Sequence, residues 1–193
     1  MTVALWPFAA GATEVLSDGA ARFVKKLGDD AVAALTRPES REDERKRRYR
    51  DLLEEGFAVR TIARFVLGRY WRAATPEQQS EYLALFRDFV LESYASQLRG
   101  FSDQTFEVLK AQPLGEKDTI VSIEIRTPNR ASIRVEYRVR SRRPGHKIID
   151  VVIEGVSLIT TQRAEFRSII NRKGMEGLLE ELRERTGRAI NSE

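Results

Sequence analysis

Residues 76–98, PEQQSEYLALFRDFVLESYASQL, read as one long helix whose apolar surface is wider than an amphipathic surface element needs. Thr75 is placed to cap its N-terminus, Pro76 suits the first helical position, and Gln78 stands where a capping box wants Glu or Gln. At about 100° per residue, Tyr82, Leu83, Leu85, Phe86, Phe89, Val90 and Tyr94 spread over roughly half the circumference. A helix with one solvated face uses a stripe on the order of 100° wide. This one therefore has to be covered on more than one side. The cover is protein on every side, or protein on one side and an apolar guest on another. Periodicity does not separate the two, and the usual close packing of interiors favours the solid core.

The neighbouring segments supply the cover. Residues 13–35 carry Val15, Leu16, Phe23, Val24, Leu27, Val32 and Leu35 at helical spacing, with a kink or split expected near Gly28. After Pro38, a segment led by acids and followed by bases suits a helix dipole, and its run Arg45-Lys46-Arg47-Arg48 reads as a solvated face or a phosphate contact. Phe57–Leu67 is a short helix expected to bury Ile62, Phe65 and Val66 and to end at Gly68. Arg69-Tyr70-Trp71-Arg72 bridges to the long helix, with both rings read as core.

Beyond Gly100 the period drops to two. Phe106 and Val108 open a strand. Val121, Ile123 and Ile125 share a face of the next, and Ala131, Ile133, Val135, Tyr137 and Val139 share a face of the third. Keeping both sets together centres the hairpin on Asn129 and sets Glu124 opposite Arg134. Pro144-Gly145 is a turn leading into a fourth strand over residues 148–154. Thr160 or Thr161 is expected to cap a helix carrying Phe166, Ile169 and Ile170. Gly174 separates it from a last helix with Met175, Leu178, Leu179 and Leu182, closed by Gly187. The expected fold is α+β: an antiparallel four-stranded meander with several helices over one face, enclosing an apolar cavity if the guest reading holds. One domain spans 13–187, followed by a tail at 188–193. Residues 1–12 read as a leader remnant or flexible N-terminus, since Ala10-Gly11-Ala12 fits a cleavage signature without the basic flank.

Composition narrows the chemistry. The 193 residues include no cysteine and one histidine, at a net charge of +4 with the signs interspersed. Disulfides, thiolate metal sites and cysteine nucleophiles are excluded. His146, among Arg142, Arg143 and Lys147, reads as an exposed turn residue, not part of a triad. Ser157 lies in Gly-Val-Ser-Leu-Ile, which lacks the second glycine of a nucleophile elbow. No phosphate loop or dinucleotide fingerprint is present. No metal site, cofactor or enzyme activity is expected.

Two stretches carry a resemblance. Phe65-Val-Leu-Gly-Arg-Tyr-Trp-Arg72 with Ala74-Thr-Pro-Glu-Gln78, and Asp150-Val-Val-Ile-Glu-Gly-Val-Ser-Leu-Ile-Thr-Thr-Gln-Arg-Ala-Glu-Phe166, resemble the toluene-tolerance or MlaC family of periplasmic phospholipid-binding proteins. The resemblance runs from about Thr13 to Arg185. It implies a soluble periplasmic carrier that shuttles phospholipid between the inner and outer membranes of Gram-negative bacteria and maintains outer-membrane lipid asymmetry. It also implies two partners, an inner-membrane ABC transporter complex with a lipid-binding ring and an outer-membrane lipoprotein–porin complex. Bound lipid is then the ligand, with a hopanoid or other polycyclic lipid as the variant. From face and size, the pocket walls are expected to be Phe57, Ile62, Phe65, Phe86, Phe89, Val90, Tyr94, Ile123, Ile125, Val135, Tyr137, Val151 and Ile153.

Two further readings stand beside it. One is an enzyme on a cone-shaped α+β fold acting on a hydrophobic small molecule, which needs a titratable pair in the cavity. The other is a nucleic-acid or anionic-surface binder using Arg45–Arg50 and the Arg138–Lys147 edge. Interspersed Asp and Glu argue against nucleic acid as a partner, and no run is long and apolar enough for an integral membrane protein.

Overall fold

The computed structural model describes residues 9–35, 42–98, 105–128, 131–142 and 145–191. In chain order these form α1 (Ala9–Leu35), α2 (Glu42–Gly56), α3 (Val59–Leu67), α4 (Tyr70–Ala73), α5 (Pro76–Leu98), β1 (Thr105–Leu114), β2 (Asp118–Arg126), β3 (Ile133–Arg142), β4 (Gly145–Ile153), β5 (Val156–Ser157) and α6 (Leu158–Asn191). The strands make one antiparallel sheet in the order β1-β2-β3-β4-β5. The α+β meander is the expected one, with one strand more. β5 is two residues long and folds back through Glu154 and Gly155, whose φ values of 48° and 82° are those of a tight hairpin turn. No described helix is long and apolar enough to cross a membrane.

Local chemistry sets the ends of the elements. Thr75 Oγ1 accepts from the Gln78 amide at 3.3 Å while Gln78 Oε1 accepts from the Thr75 amide at 3.2 Å, the reciprocal box that starts α5. Gly68, at φ 58°, ends α3. At α6 the expected threonine cap is displaced. Ser157 Oγ accepts from the Thr160 amide at 3.1 Å, and its own hydroxyl donates to Asp150 Oδ2 at 2.8 Å. The last β-turn brings the cap forward, and a carboxylate on β4 holds it. Gly174, at φ 73°, breaks α6 into two helices as expected. Gly187 does not close the second, which runs on to Asn191.

Register follows the alternation in sequence. Glu124 faces Arg134, Ile123 faces Val135, and Val121 faces Tyr137. Asn129 and Pro144, which belong to the two expected turns, lie outside the described residues. Ala131 precedes β3 and is exposed, and Ile133 is 37% exposed, so the apolar face of β3 begins in earnest at Val135.

The outer face of the sheet is polar and tied by charge. Asp118 Oδ1 and Oδ2 accept from Arg140 Nε at 2.7 Å and Arg138 Nη2 at 2.6 Å. The Asp118 side chain is only 5% exposed, whereas those of Arg138 and Arg140 are 41% and 29% exposed. The hydrogen bond from Arg140, opposed in part by burial and reinforced by Arg138, holds the Asp118 carboxyl below its ordinary range. A depressed native value makes its contribution complete above about pH 4, the unfolded value, and lost as the pH falls through the native one. Asp118→Asn is expected to cost about 1–2 kcal/mol at pH 7, discounted for the two solvent-screened arginines. Urea denaturation at pH 7 and pH 3 checks this: the gap between variant and wild type should shrink at the lower pH.

Two cores stand on either side of the molecule. One is helical: Tyr82, Phe86 and Phe89 of α5 meet Phe166, Ile169 and Leu178 of α6 and Val66 of α3. The other lies on the inner face of the sheet, where Ala20 and Val24 of α1 meet Val121, Ile123, Val135, Val139 and Ile148. Gly28 does not kink α1. A Cβ there would lie 2.3 Å from the Phe106 ring, so the glycine lets the helix and β1 approach closely.

Candidate functional site

Between the two cores lies a cavity of about 360 Å³. That volume falls within the range of roughly 300–1,000 Å³ typical of small-molecule sites. Its sheet wall is Ile123, Ile125, Val135, Tyr137, Val151 and Ile153; its helical wall includes Phe57, Ile62, Phe86, Phe89 and Val90. These are eleven of the thirteen expected positions. Phe65 is not among them. It is 55% exposed, and the Arg163 guanidinium lies 5.1 Å from its ring centroid. On α3, Ile62 and Val66 stand one turn apart and take the inner face, which turns Phe65 outward. The Tyr94 side chain lies outside the described residues.

Sequence reasoning missed a third wall. Val24, Leu27, Gly28, Ala31 and Val32 of α1 line the cavity, joined by Leu52 and Leu53 of α2, Leu91 of α5, Phe106 of β1, and Leu158 and Ile159 of α6. The signal was present as helical spacing in α1, but spacing alone does not say whether a buried face meets atoms or a void. Thr105, at the start of β1, is the exposed member of the wall.

The wide arc of α5 is thus explained by both forms of cover. Its first turns are packed solid: the Tyr82 hydroxyl donates to the Ala63 carbonyl at 2.9 Å, and Phe166 meets Phe86 edge-on at 6.2 Å and 89°. Further along, Phe86 and Phe89 belong to the aromatic cluster and to the cavity wall at once, and Val90 and Leu91 face the void.

The polar groups of the wall are few. Asp150 is engaged, accepting from Ser157 Oγ and from the Val151 amide at 2.8 Å each, so its carboxylate serves the start of α6. Gln162 donates to Glu165 at 2.8 Å. Burial pushes the Tyr137 hydroxyl up to about 12, which keeps it a neutral donor. His146 is not the exposed turn residue expected. It lies half-buried on β4, with Nδ1 2.8 Å from Ser141 Oγ and its ring 5.7 Å from that of Phe23. Burial first, then Arg22, lowers its pKa. It starts β4 under α1, paired with Ser141.

Fold and site together define a container: an α+β shell around an apolar space. The chain belongs to the MlaC family, whose model, described as MlaC protein, matches residues 25–184. It is 22% identical over 129 residues, 65% of its length, to the intermembrane phospholipid transport system binding protein MlaC of Haemophilus influenzae. It is 24% identical over 106 residues, 55% of its length, to the toluene tolerance protein ttg2D of Pseudomonas putida. These alignments span 60% and 49% of the two relatives. A phospholipid-binding protein from Ralstonia solanacearum, solved in complex with a phospholipid, superposes with a TM-score of 0.76 at 25% identity. The match covers 89% of this chain and 98% of that one.

Proposed function

We propose that this protein is a soluble, non-catalytic periplasmic carrier that holds phospholipid acyl chains in the cavity and moves them between the inner and outer membranes, maintaining outer-membrane asymmetry. The observation that carries the reading is the apolar cavity between two buried hydrophobic clusters, in a fold shared with a protein solved with phospholipid bound. Each methylene taken from water into such a wall contributes about 0.8 kcal/mol, so acyl chains alone supply ample affinity. The difficult step is release, which needs a partner that takes up the chains as they leave. The partners proposed are the inner-membrane ABC transporter complex with its lipid-binding ring and the outer-membrane lipoprotein–porin complex.

The chain purified from a Gram-negative host should carry phospholipid, visible in a native mass spectrum as a discrete added mass and identified after lipid extraction. Protein that is clean when purified and takes up nothing from liposomes would sink the proposal. An added mass belonging to a polycyclic lipid would replace the phospholipid and keep the carrier.

A further inference from the structure

The basic surface of this protein includes a patch outside the charge runs that stand out in the sequence. On β3 and β4, Arg138 and Arg140 are held by Asp118, and Lys147 donates to the Glu54 carbonyl at 2.8 Å. Unpaired exposed arginines gather most densely, with rings between them, on α3, α4 and the first half of α6. Residues 57–76 hold four arginines and no Asp or Glu. Arg60, Arg64, Arg69, Arg163 and Arg167 are all exposed, and none has a carboxylate within ion-pair distance among the described residues. By contrast Arg126, Arg183 and Arg185 each pair with acids.

Rings interleave these charges. The Arg64 guanidinium lies 4.7 Å from the Trp71 ring centroid, Arg69 5.0 Å from that of Tyr70, and Arg163 5.1 Å from that of Phe65. The two helices form one surface. Arg163 reaches across to Phe65 and Gly68, and the Tyr70 hydroxyl donates to Asn171 Oδ1 at 2.6 Å. Arg163, Arg167 and Asn171 follow one another at helical spacing, a row about 12 Å long beside α3. A guanidinium stacked on a ring leaves N–H groups for phosphate oxygens, although Arg69 gives one of its own to the Tyr70 hydroxyl at 3.0 Å.

We infer that this face docks on an anionic lipid bilayer. The charge fits phosphate headgroups, and the exposed Phe65 ring fits the boundary just beneath them, where aromatic and basic side chains both gain. A nucleic-acid backbone offers phosphate without that apolar layer. The inference stands apart from what fills the cavity.

The test is co-flotation of the full chain with phosphatidylcholine vesicles, with and without phosphatidylglycerol, at low and high salt. Binding is expected to the anionic vesicles and to fall with salt. Arg64→Gln with Arg167→Gln should weaken it by about 25-fold, taking roughly fivefold per charge. Lys110→Gln, on the exposed part of β1, should change it little. Equal binding to neutral vesicles, or an equal loss in the Lys110→Gln control, overturns the inference. So does binding to duplex DNA at the same salt with none to vesicles. Lipid loading of the double variant, read in the same preparation, is expected to be unchanged and reports that the fold is intact.

Discussion

If the cavity is the lipid site proposed, a chain carrying Val90→Trp together with Val151→Trp should take up at least tenfold less lipid than wild type while melting no lower than delipidated wild type. The two positions lie on opposite walls, Val90 on α5 and Val151 on β4, and both face the void. Enlarging a side chain in a filled core usually costs about 1–3 kcal/mol, because neighbours are forced off their rotamers. Here the added rings enter a space of about 360 Å³ and recover dispersion contacts that the wall atoms lack. Function and stability should therefore move in opposite directions, which a general folding defect cannot produce. Native mass spectrometry reads the load and a thermal melt reads the fold. Full lipid occupancy in the double variant would place the ligand outside this cavity. A charge at Phe89 makes a poorer test: that ring is 9% exposed and packs on Phe86 and Phe166, so an arginine there would empty the cavity by breaking the helical core.

How much of this was legible in the sequence depended on whether a signal was local. The β2–β3 register could be read because strict alternation allows one pairing that keeps both apolar sets on one face, and Glu124 opposite Arg134 follows from it. The start of α5 could be read because its capping box lies within four residues. Signals that depend on a distant partner misled. Gly28 looks the same whether it breaks a helix or admits a ring, and only the position of Phe106 decides. The cap of α6 fell to Ser157 because Asp150, on another strand, holds it. The cavity was half legible. Which residues face inward follows from periodicity, and eleven of the expected wall positions are there. Whether facing residues touch is set by how far two packed cores hold the walls apart, and that distance has no local code. Phe65 shows the cost of judging by type: a phenyl ring between Arg64 and Val66 reads as core until the helix phase turns it to the surface.

If separated walls are what make the carrier, the groups that separate them should be the ones the fold can least spare. Phe166 is the centre of the helical core. It is 1% exposed and lies 6.3, 6.2 and 5.9 Å from the rings of Tyr82, Phe86 and Phe89. It joins α6 to α5, the helix that supplies much of the helical wall. Phe166→Ala is expected to destabilise the protein by about 3–5 kcal/mol, the range for emptying a buried aromatic site. Three edge-on or tilted ring contacts are lost together, which puts the value toward the upper end. Against a total of about 5–15 kcal/mol for a domain, that is a third or more of what holds the chain folded. Urea denaturation should show a lower midpoint at an unchanged slope, and Phe166→Leu should recover more than half the loss. Both proteins must be delipidated first, since a ligand bound only by the folded state adds stability of its own. A loss under about 1 kcal/mol would mean that the aromatic cluster is not the pillar that keeps the cavity open, and that the sheet-side core carries the walls alone.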